Sequence, residues 1–390
     1  MTAFVFFKEK RKNFTYFFKE NKRIVYAFLA YNLVVAFSIV LNDQIIVGFG
    51  KLIYYNFTGF CICFIVYSLT DHHRYILQFV NFFFSVGLLC ALHGISVRYF
   101  YFDPFFLKEY AHFSFALERY RVSSVMGNPV VYGTFLSLLF PFFFHKISLL
   151  GEGSKSYKVI FYAPLILWSI ILSGSHSAYV GATLILLYVA LFFSSSKSQI
   201  VSYLVKIPSL LFGTALLFII ADFFMSETSF HSVISMTKAT FDLQHVSVAS
   251  RLNNYLLTWE VLKDSPLLGV GLGNFDIAFE KFQKQEWQLP GGANTPDNQY
   301  LMVIIESGIL GCIAFLVMLY YYLRQCKAFH NLLSRLPTKC LSLSVVCCLS
   351  TSTLLVMMTM WDALNHPSIR IYFWVIAGIT LRIETTEKNI

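Results

Sequence analysis

Asp297-Asn-Gln-Tyr-Leu-Met-Val-Ile-Ile-Glu-Ser-Gly-Ile-Leu-Gly311 is where a polar stretch turns into an apolar run that continues to Tyr322. About 20 apolar residues at 1.5 Å each cross a hydrocarbon core of roughly 30 Å, so 300–322 predicts a transmembrane helix. Working outward, ten such runs are legible: 24–41, 52–69, 76–96, 129–146, 158–173, 177–194, 205–224, 300–322, 340–360 and 368–382, with Lys51 abutting the second. The chain is 57% hydrophobic and 13% charged, against about 25% charged in an average soluble domain. Helices satisfy their own backbone in lipid, and no alternating barrel pattern is visible, so the expected fold is all-α, a polytopic transmembrane helical bundle. The expected organisation is one integral membrane domain over 1–390. N-terminal helices fill 24–224 with an external segment at 97–128, a large external loop fills 225–299, and C-terminal helices fill 300–382. The tail 383–390 is short and polar and is expected to be disordered.

Charge sets the expected orientation. Lys8, Lys10, Arg11, Lys12, Lys19, Lys22 and Arg23 crowd the start of the chain, which favours a cytoplasmic N-terminus. The net charge of +9 reads as a topology signal and an attraction to anionic lipids, with no nucleic-acid partner implied. No polar cleavage region follows a short apolar core, so no removable signal peptide is expected. Cys61, Cys63, Cys90, Cys312, Cys326, Cys340, Cys347 and Cys348 all lie in or beside apolar runs. They read as structural thiols; neither a metal site nor a disulfide framework is implied.

The loop before Asp297 carries most of the pattern. Leu252, Tyr255, Leu256, Trp259 and Leu262 fall at helical spacing, with Ser250 as N-cap and Asp264-Ser-Pro266 as the stop. This helix would lie along the membrane surface or on the bundle. Arg251 in its first turn would oppose the helix dipole, which an anion nearby would explain. Gly269, Gly271 and Gly273 follow no strand, so a dinucleotide loop is excluded. They are a flexible turn after a helix or a turn whose N–H groups help hold a phosphate.

Several side chains admit both a chemical and a structural reading. Arg121 and Arg251 could bind a pyrophosphate bidentately, or be snorkelling or salt-bridged arginines. Asp297 could take a proton from an attacking hydroxyl, or cap the following helix, a task Asn298 could share. Glu306 is costly two turns into a span unless it is paired or faces a polar cavity. His176, in the external turn Ser173-Gly-Ser-His-Ser-Ala178, could carry a proton or touch an anion, or simply be a hydrogen-bonded surface residue. His366 with Asp362 is a weaker pair, and His112 and His245 carry no distinguishing signal. No Gly-x-Ser-x-Gly, His-Glu-x-x-His or acidic metal motif occurs, so soluble hydrolase and zinc chemistry lack support.

Four stretches together resemble the bacterial O-antigen ligase and O-antigen polymerase superfamily. They are Arg121-Val-Ser-Ser-Val-Met-Gly-Asn-Pro129, Ser173–Ala178, Ser250-Arg251 through Pro266-Leu-Leu-Gly-Val-Gly-Leu-Gly-Asn-Phe275, and Asp297–Gly311. The likeness spans about 118–312. It implies transfer of a polyprenyl-diphosphate-linked glycan to a sugar hydroxyl on the outer face of the bacterial inner membrane. The acceptor would be a glycan or lipid A-core, with no metal, no cofactor and other polysaccharide-assembly proteins as neighbours. Arg121 and Arg251 would hold the donor diphosphate, His176 would stand where relatives have arginine, and Asn298 and Glu306 would be accessory. Asp297 would stand where ligases have a histidine base, which favours a polymerase-like member over a ligase. The family commonly has about twelve spans, two more than are legible. A transporter of polysaccharide or lipid is the alternative from another class. It would favour internal repeats and polar residues along a central path.

Overall fold

The structure is a computed structural model and describes residues 15–42, 44–69, 73–100, 111–114, 119–148, 158–193, 246–282, 297–325 and 343–387. In chain order the elements are α1 (Lys22–Val40), α2 (Ile45–Leu52), a π-helical turn (Ile53–Phe57), α3 (Thr58–Leu69), α4 (His73–Phe100), β1 (Ala111–Ser114), β2 (Arg119–Val122), α5 (Pro129–Ser148), α6 (Lys158–Ser173), α7 (His176–Phe193), α8 (Val246–Asp264), α9 (Phe275–Phe282), α10 (Gln299–Gln325), α11 (Leu343–Met357) and α12 (Pro367–Glu387). The described residues are therefore helical apart from short turns and one antiparallel hairpin, β1–β2, in which His112 pairs with Arg121. Every predicted apolar run coincides with a helix except 205–224, which lies outside the described residues, as do His245, Cys326 and Cys340. Among the described residues, four stretches are long and apolar enough to cross a membrane: Lys22–Val40, Ile45–Leu69, Tyr75–Phe100 and Gln299–Gln325. The protein is a helical membrane protein.

Three expectations need correction. The second run begins at Ile45, so Lys51 lies inside a helix and does not bound one. Helix α8 begins at Val246, which puts Ser250 within it and Arg251 in its second turn. The dipole argument for an anion beside Arg251 loses its force there, because that field is concentrated in the first turn. The tail is helical to Glu387, because α12 runs on past its apolar core.

The chain divides into two compact units, 1–77 with 249–333 and 358–390, and 78–248 with 334–357. In the second, α5 packs against α6, α7 and α11, and Tyr132, Leu136, Leu138, Leu139, Phe140 and Phe143 on it are fully buried. Hydroxyls reinforce this core: Ser137 Oγ donates to Gly133 O (2.9 Å) or Ala178 O (3.0 Å), and Ser350 Oγ to Leu138 O (2.8 Å). Small residues and short hydroxyl bonds are what hold helices together where apolar burial cannot discriminate protein from lipid.

In the first unit α1 lies along α10 and α3 along α12. Phe28 of α1 joins the two pairs, stacked on Phe60 of α3 at 4.5 Å and edge-on to Trp374 of α12 at 5.8 Å. The first is organised by a break. At Gly308 (φ 67°, ψ −170°) α10 leaves helical geometry, and Ile305 O and Glu306 O lose the i+4 amides they would otherwise accept from. The turn after α8 replaces those bonds. Val270 N donates to Ile305 O (2.9 Å) and Gly271 N to Glu306 O (2.9 Å), while Ile309 N donates to Pro266 O (3.0 Å) and Leu310 N to Leu267 O (3.2 Å). Two bonds of an ideal helix become four to a loop, which is how a broken span keeps its backbone satisfied. The buried Ser38 hydroxyl of α1 lies within hydrogen-bonding distance of both Leu268 O and Glu306 O.

No side chain fits at this junction. A Cβ on Gly308 would meet Leu267 C and O, and one on Gly269 would meet Ile305 O, each at 2.3 Å. Both glycines also have positive φ. Strain and overpacking together should make Gly308→Ala and Gly269→Ala each cost roughly 2–5 kcal/mol. Gly50→Ala, which meets nothing within 4 Å, should be neutral. Thermal unfolding in detergent tests this; equal stability of the Gly308 and Gly50 variants would show that the break does not need glycine.

Candidate functional site

The start of α10 is tied to the turn before α12 by Asn298 and Gln299. Asn298 Oδ1 accepts from Tyr300 N (2.9 Å) and Leu301 N (3.1 Å), which makes it the N-cap of α10. Its Nδ2 donates to Thr359 O (3.0 Å). Gln299 N donates to Met358 O (2.8 Å), and Gln299 Oε1 accepts from Leu364 N (2.8 Å). Asp297 precedes the cap, half-buried and in the left-handed region at φ 43°. The capping explanation for Asp297 therefore passes to Asn298. A non-glycine residue at positive φ is uncommon, although Asp tolerates it better than most, and such strain gathers at functional sites.

Glu306 is buried and paired. Its Oε1 accepts from Gly273 N at 2.7 Å, and Lys51 Nζ donates to Gly273 O at 3.1 Å. The Lys51 cation thus stands by the same glycine that holds the carboxylate, so Glu306 acts as a strut for the turn. Both earlier readings of the glycine turn are corrected here. It is docked on α10 and not flexible, and the N–H groups of Val270, Gly271 and Gly273 are spent on Ile305 and Glu306. Those three amides are not left to cradle a phosphate.

Arg251, half-buried on α8, has its Nε buried with no hydrogen-bond partner. Helix α8 is anchored by Leu257 and Val261, packed against Phe275, Ala278 and Ile305. The helix thus carries Arg251 on a rigid base that includes the backbone of the α10 break.

In the second unit, Arg121 and the turn bearing His176 come together. Arg121 Nε donates to Ser173 O at 3.0 Å. His176 is the first residue of α7 and lies edge-on to Tyr179, ring centroids 6.3 Å apart. The Gly-Asn-Pro stretch is a helix start: Gly127 takes φ 70°, Asn128 Oδ1 caps Val130 N (2.8 Å), and Pro129 opens α5. Of the predicted residues, Arg121 and His176 belong to this unit; Arg251, Asp297, Asn298 and Glu306 belong to the other.

One cluster escaped the sequence reading. Arg370, 5% exposed, lies 4.7 Å and 4.3 Å from the Tyr54 and Tyr55 ring centroids. Its Nη1 donates to Leu364 O at 3.2 Å. The π-helical turn presents two consecutive tyrosines to one guanidinium, and π-helical segments often mark functional places. The available signal was an arginine inside an apolar run, which is costly without partners. Beside it, His366 Nδ1 is buried and unpartnered. Burial, helped by the Arg370 charge and opposed by Asp362, lowers the His366 pKa from its ordinary 6.5.

That shift has a sign. The folded state resists a proton that the unfolded chain accepts, so stability should fall as pH drops below about 6.5. His366→Asn should blunt that acid loss, measured as Tm between pH 7.5 and 5.5. An unchanged acid slope would remove His366 as its source.

Comparison with known proteins adds the family. Residues 161–316 match the family model described as O-antigen ligase. The match takes in the His176 turn, α8 with Arg251, the glycine turn, Asp297 and the α10 break, and leaves Arg121 and Arg370 outside. No curated protein matches the chain. The match supports what the four sequence stretches implied, a likeness of the chain to the O-antigen ligase and polymerase superfamily.

Proposed function

We propose that this protein is a membrane glycosyltransferase that moves a polyprenyl-diphosphate-linked glycan onto a sugar hydroxyl at the external face, joining repeat units as an O-antigen-type polymerase. The acceptor oxygen attacks the anomeric carbon of the donor sugar. The new glycosidic C–O bond forms as the sugar–phosphate C–O bond breaks, and the diphosphate departs with the bonding pair. Asp297 takes the hydroxyl proton. Arg121 and Arg251 are the candidate fixed cations that stabilise the leaving diphosphate, with His176 accessory. Asn298 and Glu306 act as positioning residues for the Asp297 segment and the glycine turn.

The observation that carries the polymerase reading is Asp297. It is a carboxylate in a strained conformation with its capping role taken by Asn298. Ligase activity, transfer to lipid A-core, is the second reading, favoured by the description of the matching family model. Transport has no comparable support. The aspartate, where ligases open with histidine, puts polymerase ahead.

Two outcomes are expected in assays of purified protein given polyprenyl-diphosphate repeat units, with lipid A-core supplied separately. The wild type should lengthen lipid-linked chains; transfer only to lipid A-core would make it a ligase. Asp297→Asn should abolish transfer, while Asn298→Ala, losing a cap worth about 1 kcal/mol, should mainly lower stability. Full activity of Asp297→Asn would eliminate it as the base.

Arg251→Ala should lose roughly ten- to a hundredfold in rate, the worth of one charge-assisted contact of about 1.5–3 kcal/mol. Arg251→Lys should rescue poorly, because a point charge cannot reproduce a planar fork. Normal output from Arg251→Ala at equal protein level would take this residue out of the site.

A further inference from the structure

Helix α8 is amphipathic the wrong way round for a helix lying in water. Its packed side holds Asn254, Leu257, Thr258 and Val261, all at most 5% exposed. Its outward side carries Leu252 (60%), Tyr255 (52%), Leu256 (39%) and Trp259 (60%). These fall at i, i+3, i+4 and i+7, one continuous stripe. A water-facing stripe would normally be charged; here the charge is confined to the end, where Lys263 pairs with Glu260 (3.2 Å) and stands 5.7 Å over the Trp259 ring.

Two observations identify what meets this stripe. The first is continuity. The stripe runs on to the exposed Leu267, whose carbonyl accepts from Leu310 N. Ile309 and Leu310 then begin the exposed apolar side of α10, which continues through Ile313, Leu316, Val317 and Tyr320. That side belongs to a helix apolar enough to span a membrane. The second is depth. Arg324 closes α10 at its far end, and from there back to Ile309 the helix rises about 23 Å at 1.5 Å per residue. A hydrocarbon core of roughly 30 Å measured from Arg324 therefore ends near Ile304, about one turn beyond the Gly308 break. The turn docked on that break, and α8 entering it, lie at this boundary. Tryptophan, tyrosine and a lysine stem are the residues that partition there.

We propose that α8 is an interfacial helix, with Leu252, Tyr255, Leu256 and Trp259 inserted into the outer leaflet at the junction of headgroups and acyl chains. The occupant of this face is the lipid bilayer. The opposite side of the same helix rests on the α10 break, so α8 is held between lipid and protein, and Arg251 is carried at headgroup level. The inference does not depend on the enzymatic reaction assigned above; it concerns only where the helix sits.

The test uses full-length protein in phosphatidylcholine–phosphatidylglycerol vesicles containing lipids brominated either high on the acyl chain or near its end. Subtracting the emission of Trp259→Phe from wild type isolates Trp259 among the five tryptophans. Bromines high on the chain should quench Trp259 more than deep ones, at a depth of about 5–10 Å below the headgroups, with little quenching by aqueous iodide. Leu256→Trp in the Trp259→Phe background should restore the same shallow quenching from one turn away. Quenching by iodide and not by bromolipid would place the face in water and overturn the proposal. Resistance to both quenchers would mean that protein covers it, a second copy if the reconstituted particle doubles in mass, and would overturn it equally. Loss of glycosyl transfer in Arg251→Ala would leave the quenching unchanged, so the two readings fail separately.

Discussion

The exchange of hydrogen bonds at Gly308 is the constraint on which the first unit depends. A spanning helix can open only if other backbone takes over the groups it frees, since a bare amide or carbonyl in lipid costs several kcal/mol. Here the Pro266–Gly271 backbone does so on both sides of the break. The arrangement is two-way. The break in α10 exists because the glycine turn fills it, and the turn is ordered because the break accepts it. Gly269 and Gly308 face each other where neither can carry a Cβ, which accounts for glycine at both places without reference to chemistry.

Everything nearby is attached to that junction. Ser38 joins it from α1, and Glu306 and Lys51 grip Gly273 from either side. Helix α8 rests on Ile305 through Leu257 and Val261. About two turns earlier, the start of α10 is pinned by Asn298 and Gln299 to the 358–364 segment, which Arg370 in turn grips beside Tyr54 and Tyr55. Arg251 and Asp297 thus sit on elements that share one rigid reference, the broken helix. In the proposed reaction the donor-binding cation and the base would need a spacing fixed to a fraction of an ångström, and a common backbone anchor serves that need better than side-chain contacts.

The second unit solves its own problem differently. Its core is a central helix surrounded by three others and joined by serine hydroxyls to neighbouring carbonyls. Arg121 and the Ser173–His176 turn meet at its rim through one guanidine-to-carbonyl bond. The family match leaves Arg121 outside. The contact with Ser173 links Arg121 to the matched part of the chain.

Much of this was legible in the chain alone. Apolar runs of about 20 residues marked helices at nearly their observed positions, because hydrocarbon length and backbone satisfaction leave helix as the economical solution. The helical spacing of Leu252–Leu262 marked α8, though not its start: Ser250 offered an N-cap, but the helix is already under way at Val246. The order of the four motif stretches pointed to the superfamily that the family match supports. The sequence could not settle how the glycine turn is used, since three glycines suit a flexible loop, an anion nest or a docked strap equally well. Only the partner backbone at Ile305 and Glu306 decided among them. Nor could it choose between Asp297 and Asn298 as cap, because both have the required oxygen and only φ and hydrogen-bond geometry separate them. For the Tyr54–Tyr55–Arg370 cluster the chain showed only a costly arginine inside an apolar run, and not its partners. Arg370 is over 300 residues from the two tyrosines in the chain, and side chains so distant become neighbours only through packing that no local pattern encodes.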